Sequence, residues 1–132
     1  MSQPQFFNYP GTESNAENFH YSQAVRIGNI VRTSGQGGWE VNGDIESDAK
    51  RQIDLGFQNV MTALRTAHPS LEWRNVVSVR TYHTDVEATF DLVTSAFKSL
   101  DGQHRPVWTC VEVPKLGLEG MVFEIEVEAF VG

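Results

Sequence analysis

The sequence predicts an α+β domain in which one layer of helices covers one face of a mixed sheet. Two segments carry apolar residues at helical spacing, and strand-like segments precede, separate and follow them. The length of 132 residues is typical of one domain. The predicted order is β-β-(β)-α-β-α-β-β. Because two helices can cover only one face of the sheet, the other face must contact either water or another subunit.

The first elements are predicted from turn residues and β-branched residues. Residues 1–19 are polar and rich in turn residues, so we interpret them as an N-terminal arm that precedes a domain over residues 20–132. Residues 23–34 are rich in β-branched residues on both sides of Gly28-Asn29, which predicts a hairpin. Residues 34–44 contain four glycines and predict a loop, with a short strand at residues 39–41.

Both helices are predicted from steps of three and four between apolar residues. The first should span residues 47–68 and end before Pro69, and its apolar stripe is Ile53, Phe57, Val60, Leu64 and Ala67. Gly56 lies inside this helix, and we expect it to permit a close contact with the sheet. The second helix should span residues 86–100, with the stripe Val86, Phe90, Val93, Phe97 and Leu100.

The remaining strands are predicted at residues 75–85, 107–113 and 121–130. Alternation places Trp108, Cys110 and Glu112 on one face of the second of these strands. In the last strand it separates an apolar face from one with three carboxylates, at Glu124, Glu126 and Glu128. We expect the sheet face away from the helices to carry these carboxylates together with Trp108 and Cys110. Such a mixed face is typical of a site at a subunit junction.

Composition narrows the classes of function. The formal net charge is −7 and the sequence has no cluster of Lys and Arg, so nucleic acid is not a predicted partner. The longest apolar run is far shorter than the ~18 residues of a membrane helix, and the N-terminus lacks the basic and apolar regions of a signal peptide. A single cysteine excludes an intrachain disulfide. We expect a soluble cytoplasmic protein, with the mitochondrion as the open alternative.

The four histidines show no metal-binding spacing, and the glycine-rich loop matches no phosphate-binding motif. We therefore predict neither a metal nor a cofactor.

Several short motifs resemble one known family. YSQAV at residues 21–25, SGQ at 34–36, CVEV at 110–113 and FEIE at 123–126 follow one another as in the RidA/YjgF family of reactive-intermediate deaminases, also labelled L-PSP endoribonucleases. The resemblance covers residues 21–130. It implies a chorismate-mutase-like fold and a homotrimer with a central barrel and three clefts between neighbouring subunits. It also implies a small-molecule ligand and hydrolysis of enamines or imines.

The resemblance assigns site residues one by one. Glu124 matches the carboxylate that orients water, Tyr21 and Ser34 match cleft positions, and Cys110 matches a cysteine whose backbone contributes to the cleft. Without the resemblance, Glu124 is as readily interpreted as a solvated strand glutamate. Tyr21 and Ser34 are then ordinary strand-end polar groups, and Cys110 is a small buried residue.

One position departs from the family pattern. The deaminating members bind the substrate carboxylate with the arginine of a P-x-R-[ST] segment, and here Trp108 stands in place of that arginine. Indole has one N–H donor and no charge, so it cannot replace a guanidinium. Arg105 has the opposite parity in the strand, and Arg26 and Arg32 are alternatives from other strands. We expect Trp108 to bind an apolar or aromatic ligand by stacking, or else to belong to the core.

Two functions of different class follow from this departure. The first is an enzyme of the Rid type that adds water or transfers a proton to an enamine, imine or related unsaturated compound, with ordinary 2-imino-acid deamination disfavoured. The second is a non-catalytic ligand-binding or regulatory trimer. A ribonuclease ranks below both, because the chain is acidic and lacks an evident His/His or His/Lys pair.

Overall fold

The computed structural model describes residues 3–132. Seven strands form one sheet: β1 (Gln5–Phe7), β2 (Ala24–Ile27), β3 (Ile30–Thr33), β4 (Gln36–Gly37), β5 (Val76–His83), β6 (Val107–Glu112) and β7 (Phe123–Phe130). The order across the sheet is β1-β2-β3-β7-β5-β6, and β4 pairs with β7 beside β3. Only β5 and β6 pair in parallel, so the sheet is mixed, as predicted.

Three α-helices accompany the sheet: α1 (Glu13–Phe19), α2 (Ala49–Ala67) and α3 (Val86–Leu100). Asp48 caps α2, because its side chain accepts a hydrogen bond from the Arg51 N–H at 3.1 Å. A Cβ at Gly56 would lie 2.9 Å from the Phe123 ring, which confirms the predicted close contact between α2 and the sheet. The predicted α+β architecture, with two long helices on one face of the sheet, is therefore confirmed.

The core lies between the sheet and helices α2 and α3. Phe57 is its centre, with edge contacts to Trp73 and Phe97 and a stacked contact with Phe123 at 5.9 Å between ring centroids. Four of the five predicted stripe residues of α2 are fully buried, and Ala67 is half-buried. The stripe of α3 is less covered, because two of its five residues, Phe90 and Leu100, are 41% and 42% exposed.

The N-terminal segment differs from its prediction as a loose arm. Strand β1 pairs with β2 in the register Phe6↔Val25, and α1 follows it. The cause is long-range pairing, since the Gln23 N–H donates to the Phe7 carbonyl and the Tyr9 hydroxyl donates to the Gln36 side chain. The boundary at residue 20 stays a prediction. The strand expected at residues 39–41 is also wrong, because the residues that pair with β7 are those of β4.

The placement of Trp108 and Cys110 on the face away from the helices is wrong as well. In β6, Trp108 lies opposite the buried Val79 and Cys110 opposite the buried Thr81, so both side chains are on the helix side. The open face of β6 instead carries Val107, which is 69% exposed. The predicted alternation within the strand holds, but its assignment to the two sheet faces was inverted.

Candidate functional site

A pocket of about 970 Å³ opens at one end of the sheet. Its walls are the N-terminal segment over residues 9–21, the loop that follows β4, one side of α2 and the last turn before β7. The predicted site residues Tyr21, Ser34 and Glu124 all line it. The structure therefore brings these three predicted residues together within one chain.

Glu124 is the half-buried carboxylate of this pocket. It lies on the open face of β7, where its backbone pairs with Gly37 on one side and Tyr82 on the other. Burial raises the pKa of the Glu124 carboxyl above its usual value, and the nearby charge of Glu126 raises it further. A carboxyl in this environment holds a proton more readily than one in water, which suits proton transfer.

Gly35 determines the space that the Glu124 side chain occupies. A Cβ at this position would overlap the Glu124 carboxylate. Only glycine fits at this position, because a residue without a Cβ leaves room for the Glu124 carboxylate to lie against the loop. The SGQ motif of the sequence contains this glycine, and its position explains why a small residue precedes β4.

Tyr21 and Ser34 are held by local backbone geometry. Helix α1 ends at Phe19 and is followed by His20 in the left-handed conformation, with φ of 61°, after which Tyr21 lines the pocket. The Ser34 hydroxyl donates to the Ser22 carbonyl at 2.6 Å, and the Ser34 N–H donates to the Gln23 carbonyl. The hydroxyl oxygen of Ser34 therefore retains a lone pair for a ligand, while its proton is used internally.

A buried polar network supports the pocket from below. The Tyr9 hydroxyl donates to Gln36 Oε1 at 2.6 Å and accepts from Trp39 Nε1 at 3.0 Å, and Gln36 Nε2 donates to Gln23 Oε1 at 2.7 Å. Burial raises the pKa of Tyr9, which keeps its hydroxyl protonated. Sequence reasoning missed this network, because its members are separated by up to 30 residues and show no common spacing.

Helix α2 holds the loop after β4 through Asn59. Its amide donates to the carbonyls of Gly37 at 2.8 Å and Trp39 at 3.0 Å. Asn59 lies on the half-buried side of α2 and also lines the pocket. The only signal for it in the sequence is a polar residue beside the apolar stripe, which is too common a pattern to identify a site.

Trp108 and Cys110 do not line this pocket in the chain that the structure describes. Trp108 stacks on Phe90 at 5.1 Å and makes an edge contact with Phe97 at 4.9 Å. Its Nε1 donates to Thr81 Oγ1 at 2.9 Å. Together with Cys110, these residues define an aromatic edge formed by α3 and β6, and we use the name α3–β6 edge for it. Glu112 belongs to the same strand and caps α3, since it accepts from the Val86 N–H at 3.0 Å.

The arginines considered as substitutes for the missing anchor are placed elsewhere. Arg26 donates to the Gly28 carbonyl and contacts His68, and Arg32 forms an ion pair with Glu128. Arg105 is exposed just before β6. Among the described residues that line the pocket, two are carboxylates, Glu40 and Glu124, and none is Lys, Arg or His.

Within residues 3–132, no group of three or more His, Cys, Asp or Glu side chains is placed to hold a metal ion. No helix in the same part of the chain is long and apolar enough to cross a membrane.

The chain matches a family model, related proteins and solved structures. The family model described as Endoribonuclease L-PSP matches residues 12–131. The RutC family protein YjgH of Escherichia coli K12 is 34% identical over 110 residues, which cover 83% of this chain and 81% of that protein. A solved structure described as protein YJGH aligns with a TM-score of 0.84 at 29% identity and covers 98% of both chains. A YjgF/YER057c/UK114 family member from Mycobacterium tuberculosis aligns with a TM-score of 0.81 at 27% identity, over 98% of this chain and 100% of that one.

One relative bears on the location of the protein in the cell. The protein mmf2 of Schizosaccharomyces pombe, 29% identical over 82% of this chain and 83% of its own length, is described as mitochondrial. A cytoplasmic location for this chain stays a prediction, with the mitochondrion as the alternative.

The motifs predicted the same family that the comparisons find. The match of the family model extends over nearly the whole described chain, and the fold agrees with solved members over almost their full length. The chain therefore belongs to the Endoribonuclease L-PSP family, the RidA/YjgF family of the motif resemblance.

Proposed function

We propose that this protein hydrolyses the C=N bond of a small imine, or of the enamine that tautomerises to it, with Glu124 as the proton-transfer residue. The observation that carries the proposal is the half-buried Glu124 carboxyl, whose pKa is raised and which faces the pocket beside Tyr21, Ser34 and Gly35. A carboxyl whose pKa is raised gives a proton and takes it back closer to neutral pH than an ordinary carboxyl does.

The reaction needs only water and this one carboxyl. Protonated Glu124 gives its proton to the imine nitrogen, and the resulting carboxylate then takes a proton from a water molecule as the water oxygen bonds to carbon. The π pair of the C=N bond moves to nitrogen, which gives a carbinolamine. Glu124 next protonates the amine nitrogen, the C–N bond breaks with its pair on nitrogen, and the hydroxyl proton returns to Glu124 as the carbonyl forms. One water is consumed and one amine or ammonia is released.

The active assembly in this proposal is a homotrimer with clefts between neighbouring subunits. Two facts support it: the predicted site residues fall into two separate groups within one chain, and the α3–β6 edge leaves Phe90 41% exposed. If the α3–β6 edge of a second copy closes the pocket, Trp108 and Cys110 join Tyr21, Ser34 and Glu124 in one cleft. Exposed apolar residues on the open sheet face, including Ile27, Ile30 and Phe130, also favour association of copies.

A direct assay tests the hydrolysis. A flavin-dependent amino-acid oxidase or amine oxidase generates the imine in solution, and ammonia release is followed with and without this protein. We expect acceleration that Glu124→Gln reduces by ~10²–10⁴-fold, the usual contribution of a general acid–base. The matched control is Glu128→Gln on the same face of β7, which should retain the rate because Glu128 pairs with Arg32 outside the pocket. Equal rates for wild type and Glu124→Gln would contradict the proposal.

The second candidate is a ligand-binding or regulatory trimer without catalysis. The replacement of the anchoring arginine by Trp108 favours it. Saturable ligand binding with no acceleration of any imine, in a protein that sediments as a trimer, would support this candidate over the enzyme.

The family description as an endoribonuclease receives less support from the site. A phosphodiester needs cationic or oriented N–H partners, and the described lining of the pocket carries two carboxylates with no Lys, Arg or His. A substrate without negative charge fits this lining better.

A further inference from the structure

The charge of the pocket lining restricts which substrates can enter. Glu40 lies at the exposed rim and Glu124 at the half-buried end, and the described lining has no cationic side chain to offset them. Glu40 repels an anionic ligand at the rim, and Glu124 adds to this repulsion whenever its carboxyl is ionised, at the half-buried end where screening by water is weaker. A neutral imine, or the iminium cation that forms when it is protonated, meets no such repulsion.

The shape and apolar character of the lining restrict the substrate in a second way. Four aromatic residues line the pocket, namely Tyr9, Phe19, Tyr21 and Trp39. Tyr9 is buried, and the Trp39 indole N–H is already hydrogen-bonded to it, so Trp39 offers mainly the apolar surface of its ring to a ligand. Within one chain, before a second copy closes the pocket, its volume is about 970 Å³, which is at the upper end of the usual range for drug-sized ligands, about 300–1,000 Å³.

We propose that the pocket selects imines and enamines that lack a carboxylate and carry a bulky apolar or aromatic group, and that the N-terminal segment over residues 9–21 forms the specificity wall for that group. This inference rests on the proposed function, and it names the substrate class of the same site. The reacting C=N carbon lies at Glu124, and the apolar body extends along Trp39 toward Phe19. Substrates of this kind arise from oxidation of amines rather than of amino acids.

Binding of a matched pair of carbonyl compounds tests the charge preference without catalysis. The compounds 4-phenyl-2-butanone and 2-oxo-4-phenylbutanoate share one phenethyl ketone body and differ in a methyl against a carboxylate. Calorimetry with the full chain should give at least a tenfold lower Kd for the butanone, which is about 1.4 kcal/mol. Equal or tighter binding of the oxo acid would overturn the inference.

Turnover separates failure of the inference from failure of the proposed function. Amine oxidase acting on benzylamine supplies a carboxylate-free aromatic imine, and amino-acid oxidase acting on phenylalanine supplies an imino acid. We expect the first to be hydrolysed at least tenfold more efficiently than the second. If the imino acid is as good a substrate, hydrolysis stands and the inference fails. If neither imine is accelerated while the butanone still binds tightly, hydrolysis fails and the pocket preference stands.

Two phenylalanines of similar exposure test the role of the N-terminal wall. Phe19 is 69% exposed and lines the pocket, whereas Phe6 is 66% exposed and lies on β1 outside it. Phe19→Ala should weaken butanone binding roughly fivefold, and Phe6→Ala should leave it unchanged. Equal effects of the two variants would contradict the role of the N-terminal segment as the specificity wall.

Reversal of the charge at Glu40 tests whether the charge of the lining sets the preference between the two compounds. Glu40→Lys should narrow the preference for the butanone over the oxo acid, because a cation then faces the incoming carboxylate. The side chain of Glu40 is exposed, so the substitution should not alter folding. An unchanged ratio of the two Kd values would show that the lining charge does not set the preference.

Discussion

The pocket at the end of β7 and the α3–β6 edge carry the two groups of predicted site residues, and their chemistry is opposite. The pocket holds a carboxyl whose pKa burial raises, together with hydroxyls and a buried network of glutamines. The α3–β6 edge is aromatic, and its indole N–H is already bonded to Thr81. Trp108, at the position where the motif resemblance expects an arginine, belongs to the apolar edge, whereas the half-buried carboxyl lies in the other region.

The largest expected effect concerns Trp108 as a packing residue of the α3–β6 edge. Trp108→Ala removes ring contacts with Phe90 and Phe97 and the hydrogen bond to Thr81, so we expect a loss of about 2–4 kcal/mol in the free energy of unfolding. Trp108→Phe keeps a ring and should cost about 1 kcal/mol through the lost hydrogen bond. Urea denaturation at fixed protein concentration measures both. A near-neutral Trp108→Ala with weakened ligand binding would instead make Trp108 a wall of the cleft.

The next effect concerns the fit between Gly35 and Glu124 in the pocket. Gly35→Ala should displace the Glu124 carboxylate, which its Cβ would overlap, and lower imine hydrolysis roughly 10–100-fold, about 1.4–2.7 kcal/mol. The matched control is Gly117→Ala, because Gly117 also lines the pocket but its Cβ would meet no atom within 4 Å. If both variants keep the wild-type rate, the position of Glu124 is not critical to the reaction.

The contrast between the two regions also shows what the sequence could predict. The α2 stripe and the alternation of β6 follow from spacing alone, and both were correct within their elements. Which sheet face carries Trp108 depends on its register opposite Val79, and that pairing joins strands separated by a whole helix. Parity within one strand cannot supply this information, so the assignment of Trp108 to the open face was wrong.

The pocket itself was predictable only through the motifs. Tyr21, Ser34 and Glu124 belong to short segments of recognisable sequence, and the structure places them together. Tyr9 could not be identified, since its partner Gln36 lies 27 residues away and its own segment is polar and turn-rich. Long-range hydrogen bonds of this kind leave no periodic signal in the sequence.

A smaller effect is expected from the network beneath the pocket. Tyr9→Phe leaves Trp39 Nε1 and Gln36 Oε1 without their partner, so the free energy of unfolding should fall by about 1–2 kcal/mol. The control is Tyr21→Phe, because none of the hydrogen bonds among the described residues uses the Tyr21 hydroxyl and its side chain is exposed. Thermal unfolding measures the stability of both variants. An equal loss of stability in the two would contradict a structural role of the network.

The smallest effect is the pH dependence of stability that Glu124 contributes. Its folded pKa is raised above the unfolded value of 4.5, so between these two values the folded state holds more protons than the unfolded state. Stability from this group is therefore present at pH below 4.5 and is lost as the pH rises through the folded pKa. Glu124→Gln removes the charge, so at pH 7 we expect a Tm above that of wild type, and the difference should vanish near pH 4.

The comparison of wild type with Glu124→Gln also separates the contribution of Glu124 to stability from that of His83. Burial lowers the pKa of His83, so the unfolded state binds its proton first and stability falls as the pH drops from the usual value of 6.5 through the lowered one. His83 is present in both proteins, so its contribution cancels in the difference between wild type and Glu124→Gln. Glu128→Gln loses the ion pair with Arg32 and should show no gain at pH 7. A gain in both variants would mean that general relief of negative charge, rather than the burial of Glu124 in the pocket, sets the effect.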